Sequence, residues 1–260
     1  MFTVTYAQLN AWLTAFLWPF ARIAALVAAA PAFGHTSVPA RVKVGLAAFM
    51  TLIVAPTLGP MPDATVFSGN GVWIMANQLL IGAALGFTMQ LVFAAVEMAG
   101  SLVGLQMGLG FATFFDPMSN ASNVVISRYL NTIAMIAFLT LDGHLQVVSA
   151  LVASFDAVPI SASLLGPTGL RTLVQWGGAV FSAGLLLALP VVVALLIANL
   201  SLGILNRAAP QIGIFQIGFS ITLLVGMLLL QLMLPNMIPF FSHLFDLGVD
   251  EMGRIAGGLR

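Results

Sequence analysis

The sequence has 260 residues, of which 60% are hydrophobic and only 6% charged, with a mean hydropathy of +1.09. A water-soluble domain carries about 25% charged residues, so this composition excludes an ordinary soluble fold and calls for lipid or extensive protein contact around the chain. Eight basic and eight acidic residues cancel, which removes any global field for nucleic acid, and the absence of cysteine removes disulfides, thiolate metal sites and thiol nucleophiles.

A spanning helix needs about 20 apolar residues. Met1 to Asn10 holds no Lys or Arg, so the first apolar stretch, Leu9 to Ala30, reads as a retained helix rather than a cleaved signal. Arg22 interrupts it. Pro31 to Lys43 reads as a polar-tipped loop, and Val44 to Leu58 as a shorter second span ending in the turn-rich Pro60-Met61-Pro62-Asp63. Val72 to Phe115 is apolar over about 44 residues, or about 66 Å as a helix, twice what one crossing needs. Two readings are open: two helices meeting near Glu97, or one long helix that leaves the membrane. Gly82 and Gly86, then Gly100 and Gly104 with Gly108, recur at spacing four, which puts them on one helix face and predicts close helix packing. Val124 to Leu141 reads as the next span, and Asp142 to Arg171 as mixed and turn-rich. Thr172 to Leu205 and Ile212 to Phe241 then form a helical hairpin whose connector holds Asn206, Arg207, Pro210 and Gln211. A weakly amphipathic tail, His243 to Arg260, closes the chain. The fold class expected is all-α, a polytopic membrane protein of long hydrophobic helices.

Chemistry-bearing patterns are sparse. His35, His144 and His243 lie far apart with no ligand spacing, and Asp142-Gly143-His144 offers two ligand types where a metal site needs more. No metal and no cofactor is expected. Gly108-Leu109-Gly110 is followed by Thr113 where a dinucleotide fingerprint wants glycine, and no nucleophile elbow or phosphate loop occurs. An enzyme is therefore not expected. Arg22 and Glu97 are the ionisable groups set deepest in apolar sequence, and a charge there normally faces protein or water. One acid and one base do not make a proton relay, so a structural role is favoured over an ion path.

The stretch GLQMGLGFATFFDPMSNASN, Gly104 to Asn123, is the most informative. Phe111, Phe114 and Phe115 follow its glycines at helical spacing, and Pro117 disfavours helix at Asp116. A glycine base bearing aromatics and ending in a turn suits a gate; the same residues also suit a packed core, and residue types alone favour the core.

Four stretches then point one way: RIAALVAAAPAFGHTSVPARVKVGLA (Arg22 to Ala47), GLQMGLGFATFFDP (Gly104 to Pro117), LTLDGHL (Leu139 to Leu145) and GILNRAAPQIGIFQIGF (Gly203 to Phe219). In this order the chain resembles the FliR family of flagellar and type III secretion export-gate proteins. Gly213 and Ser220 depart from the pattern, where a more polar residue and a proline would be expected. The resemblance implies a FliP-like part over residues 1–165 and a FliQ-like hairpin with a C-terminal tail over 166–260. It implies FliP-like and FliQ-like subunits in a hetero-oligomeric channel, FlhB-like and FlhA-like export proteins and unfolded protein cargo as partners, with membrane lipid but no nucleic acid. The implied location is the bacterial inner membrane, at the flagellar basal body. Met107, Gly108, Gly110, Phe111, Phe114, Phe115, Asp116 and Pro117 would form a plug in the closed channel. The runner-up from another class is a stand-alone small-solute or ion transporter, for which Arg22, Glu97 and Asn131 are the raw material. A membrane enzyme comes third.

Overall fold

The computed structural model describes residues 5–111, 124–208 and 214–260, and among them every regular element is a helix. Helix α1 (Tyr6–Ala29) starts on a capping box: the Thr5 hydroxyl accepts from the Gln8 amide while the Gln8 side chain accepts from the Thr5 amide. A four-residue helix α2 (Pro31–Gly34) and helix α3 (Ala40–Val54) follow. The expected loop Pro31 to Lys43 is thus partly helical. Lys43 explains part of this: its ammonium donates to the Gly34 carbonyl at 2.7 Å, satisfying an end group of α2.

Helix α4 (Gly69–Gln106) resolves the two readings of the long apolar stretch in favour of one helix. Its 38 residues run unbroken through Glu97, which is exposed. Helix α5 (Val124–Thr140) ends at Asp142, whose φ of 56° puts a non-glycine residue in the left-handed region. Helix α6 (Gly143–Ala157) then occupies half of the segment expected to be turn-rich. The turns are confined to the residues between Val158 and Gly166. The reason is amphipathic spacing: Val147, Leu151, Ser154 and Phe155 are buried along one face.

Helices α7 (Pro167–Ala208) and α8 (Ile214–Gly258) are longer than the hairpin arms expected from hydropathy. The charged tail is not separate, because α8 continues through Pro235 and Pro239 to Gly258. Apolar surroundings favour this, since a broken helix there would strand backbone groups that nothing else satisfies. Among the described residues five helices are long and apolar enough to cross a membrane, or six if the pair flanking Asp142 counts as one span. The protein is a multi-pass, all-α membrane protein.

Packing divides the described chain into two compact units, neither continuous in sequence. The first comprises the described residues of 1–91, 142–177 and 246–260; the second comprises those of 92–141 and 178–245. In the first unit, α4 lies against α1 through its glycines. A Cβ on Gly82 would fall on the Arg22 carbonyl, and one on Gly86 would sit 2.7 Å from the Ala29 Cβ. The C-terminal end of α8 closes this unit, with the Gly166 amide donating to the Leu259 carbonyl at 3.0 Å. In the second unit, Phe93, Phe138, Phe241 and Phe245 form an aromatic cluster. Phe138 meets Phe93 and Phe245 edge-on at centroid distances of 5.6 and 5.2 Å.

Candidate functional site

The described base of the glycine–phenylalanine stretch belongs to the second unit and begins where α4 ends. The Met107 amide still makes a helical bond to the Val103 carbonyl, but Gly108 has φ of 82° and donates to Leu105 instead. That is a left-handed helix stop, which glycine adopts without steric cost. Leu109–Phe111 then forms one turn of 3-10 helix, which includes Gly110. Phe114, Phe115, Asp116 and Pro117 lie outside the described residues.

Met107 is fully buried, and α8 holds it twice. The Thr222 hydroxyl donates to the Met107 carbonyl at 3.2 Å. One turn further along α8, Gly226 leaves room for the Met107 side chain. A Cβ there would stand 2.6 Å from Cγ and 2.9 Å from both Sδ and Cε. Upstream, Gly100 lets α4 press on the Ser127 backbone of α5, and the Ser101 and Ser127 hydroxyls are 2.9 Å apart. Gly104 is buried on the same stretch of α4. The stretch therefore leaves a helix that is fixed on two sides, by α5 and by α8.

In the first unit, Arg22 is wholly buried and has no carboxylate partner among the described residues. Its Nε donates to Gln78 Oε1 at 2.8 Å, Nη1 to the Ser154 carbonyl at 2.8 Å and the Ser154 hydroxyl at 3.2 Å, and Nη2 to the Val158 carbonyl at 2.8 Å. The guanidinium also lies 4.2 Å from the Phe155 ring centroid. Ser154 and Val158 mark the C-terminus of α6, where the helix dipole is negative; the Ser154 carbonyl also accepts from the Val158 amide at 2.9 Å, and the Val158 carbonyl lies past the last helical turn. Arg22 thus caps α6 with a cation. Asn77 continues the polar knot by donating to the Ser163 carbonyl at 2.9 Å. This arrangement is a structural use of the charge, with every guanidinium nitrogen engaged.

Glu97 makes no ion pair among the described residues, where the pair present is Arg254–Glu251 at 3.3 Å. Asn206 and Arg207 are exposed in the last turn of α7, a favourable end for a cation; Pro210 and Gln211 lie outside the described residues. No three or more of His, Asp and Glu gather among the described residues as a metal group would. Sequence reasoning missed Thr222, Gly226, Gln78 and Ser154. A signal existed for the first two, a hydroxyl and a glycine four apart on one face of α8, but many such pairs occur in apolar helices.

Residues 13–248 match the family described as bacterial export proteins, family 1. The chain belongs to that family. Among its relatives, the flagellar biosynthetic protein FliR of Pectobacterium carotovorum subsp. carotovorum is 49% identical over 94% of this chain and 93% of its own. FliR of Escherichia coli K12 is 47% identical over 95% and 94%. The FliR of Bacillus subtilis 168 retains 27% identity over 93% and 94%. The alignments run nearly end to end, so this is a FliR-family protein over its whole membrane body and not a shared fragment.

Proposed function

We propose that this chain is a structural and gating subunit of the flagellar type III protein export channel, passing unfolded flagellar proteins across the bacterial inner membrane at the basal body. Near end-to-end identity of almost one half with a flagellar FliR carries this reading. The role is non-enzymatic, with energy drawn from partner proteins and the proton gradient. Nothing observed favours a stand-alone transporter: the Arg22 guanidinium is engaged by Gln78 of α4 and by Ser154 and Val158 at the end of α6.

The chain works within a hetero-oligomer of FliP-like and FliQ-like subunits, alongside FlhA-like and FlhB-like export proteins. Residues 1–165 correspond to a FliP-like part and 166–260 to a FliQ-like hairpin. Two features support protein neighbours. Helices α7 and α8 have 42 and 45 residues, so each would be more than about 60 Å long, twice the hydrocarbon thickness. Glu97 is an exposed carboxylate on an otherwise uncharged helix, where lipid would be a costly neighbour and a polar group of another subunit a favourable one.

The plug comprises Met107, Gly108, Gly110, Phe111, Phe114, Phe115, Asp116 and Pro117. Thioether and aromatic side chains exclude water and ions without bonding to cargo, and methionine adapts its shape as a chain passes. Opening is then a shift between two arrangements of the loop. Shortening Gly108 to Phe115 in the assembled channel tests the reading. Ion leakage across the membrane should rise while the complex still assembles. Unchanged leakage with unchanged export removes the gate role.

A further inference from the structure

We infer that Thr222 and Gly226 of α8 are positioning residues for the gate: they clamp Met107 and so fix the point at which the plug leaves α4. The inference rests on the plug reading above and adds the element that controls it.

Three observations meet at Met107. First, the carbonyl of Met107 lies at a helix end, among the groups that have no helical donor. Thr222, itself 4% exposed, supplies a donor from α8 at 3.2 Å. Secondly, Gly226 lies four residues beyond Thr222 and so on the same face. It is the absence of a side chain there that admits Met107 Cγ, Sδ and Cε. Thirdly, Gly108 follows at φ of 82°, so the chain turns out of the helix one residue after the clamped one. A clamp at this spot controls the loop's departure; one a turn earlier would only hold helix against helix.

The clamp can also let go at low cost. The Thr222 hydroxyl has one proton and two acceptors within reach, Met107 at 3.2 Å and the Phe219 carbonyl of its own helix at 3.1 Å. A hydroxyl donates one bond at a time. When α8 moves away from Met107, the proton stays satisfied by Phe219, so release strands no donor and costs only the bond to the Met107 carbonyl. The Met107 thioether is flexible enough to leave the Gly226 notch by rotation. Movement of the N-terminal half of α8 is thereby coupled to the plug by direct contact.

The test uses the full chain assembled with its partner subunits, with ion leakage, amount of complex and export each measured. Thr222→Val removes the hydroxyl and keeps the shape; Thr222→Ser keeps the hydroxyl; Gly226→Val fills the notch. Thr222→Val should raise leakage about fivefold, the population shift expected from one lost hydrogen bond. Thr222→Ser should leak as the parent does, and Gly226→Val should leak at least as much as Thr222→Val. Combining Gly226→Val with Met107→Ala should leak no more than Met107→Ala alone, because both act on the contact between the Met107 side chain and the Gly226 notch. A helix-packing role without gate control predicts a changed amount of complex and unchanged leakage per complex. Should shortening Gly108 to Phe115 cause leakage while Thr222→Val and Gly226→Val do not, the clamp is wrong and the plug stands. Should the shortened loop not leak either, both fall. Thr222→Val is nearly isosteric, so it still decides the matter if Gly226→Val fails to assemble.

Discussion

Helices α4 and α7 are written in the same residues, long apolar runs punctuated by glycine, yet the chain uses them in opposite ways. In α4, 61% of the most apolar stretch is buried, against 28% in α7. The glycines tell the same story at atomic scale. Gly82, Gly86 and Gly100 each lie against a backbone or Cβ of α1 or α5. In α7 Gly169 and Gly184 are used in that way, against the Ile255 and Ala95 carbonyls, whereas Gly177, Gly178 and Gly203 face open space. Glycine in a helix costs about 1 kcal/mol relative to alanine, which close packing offsets in α4. At Gly177, Gly178 and Gly203 of α7 nothing among the described residues offsets it. The contrast shows that hydropathy marks a helix as belonging out of water but does not say whether its own fold, lipid or another subunit covers it.

The largest effect expected is at the foundation of the covered half. Arg22→Met leaves the Val158 carbonyl and the Gln78 amide oxygen without their donor and takes from the Ser154 carbonyl the second of its two donors. Each buried acceptor left unsatisfied costs about 1–3 kcal/mol, so thermal melting in detergent should show marked destabilisation. Arg22→Lys should recover only part, because an ammonium cannot reproduce the planar fork that spans three acceptors.

Next comes a paired substitution that tests the comparison directly. Gly82→Ala places a methyl on the Arg22 carbonyl, with backbone on both sides, and should destabilise the chain by about 1–3 kcal/mol. Gly177→Ala meets nothing and should stabilise the isolated chain by about 0.5–1 kcal/mol through helix propensity. Equal effects of the two on melting would break the distinction between covered and open glycines. A Gly177→Ala chain that is stable alone but assembles poorly would sharpen it, by locating another subunit's backbone at that face.

The smallest effect belongs to Asp142. At φ of 56° an exposed, non-glycine residue bears a modest conformational penalty. Asp142→Gly should therefore stabilise by about 1 kcal/mol or less, read from the same melting curves. Destabilisation would mean that the aspartate side chain holds the turn between α5 and α6 by a contact outside the isolated chain.

Much of the fold was legible in the sequence. The apolar runs located the long helices, Arg22 stood out as a charge needing a structural answer, and four ordered motifs pointed to the family to which the chain belongs. What stayed illegible shares one cause. Helix α6 was hidden because Asp142, Gly143 and the prolines around it look like turn punctuation, and only packing of Val147, Leu151 and Phe155 makes the helix worthwhile. The continuity of α8 through Pro235 and Pro239 was hidden for the converse reason. A local helix breaker is overruled where no water waits for the freed backbone groups.

The sequence by itself determined that this is a helical membrane protein of the export family, because composition and motif order are properties of the chain alone. Tertiary structure decided who answers Arg22, which glycines are consumed and what holds Met107 at the end of α4. Those answers come from residues 56 to 136 positions away in the chain, Gln78 and Val158 for Arg22, and 115 positions away, Thr222 for Met107. Periodicity reports only neighbours within a few turns, so contacts at such separations appear only once the helices pack.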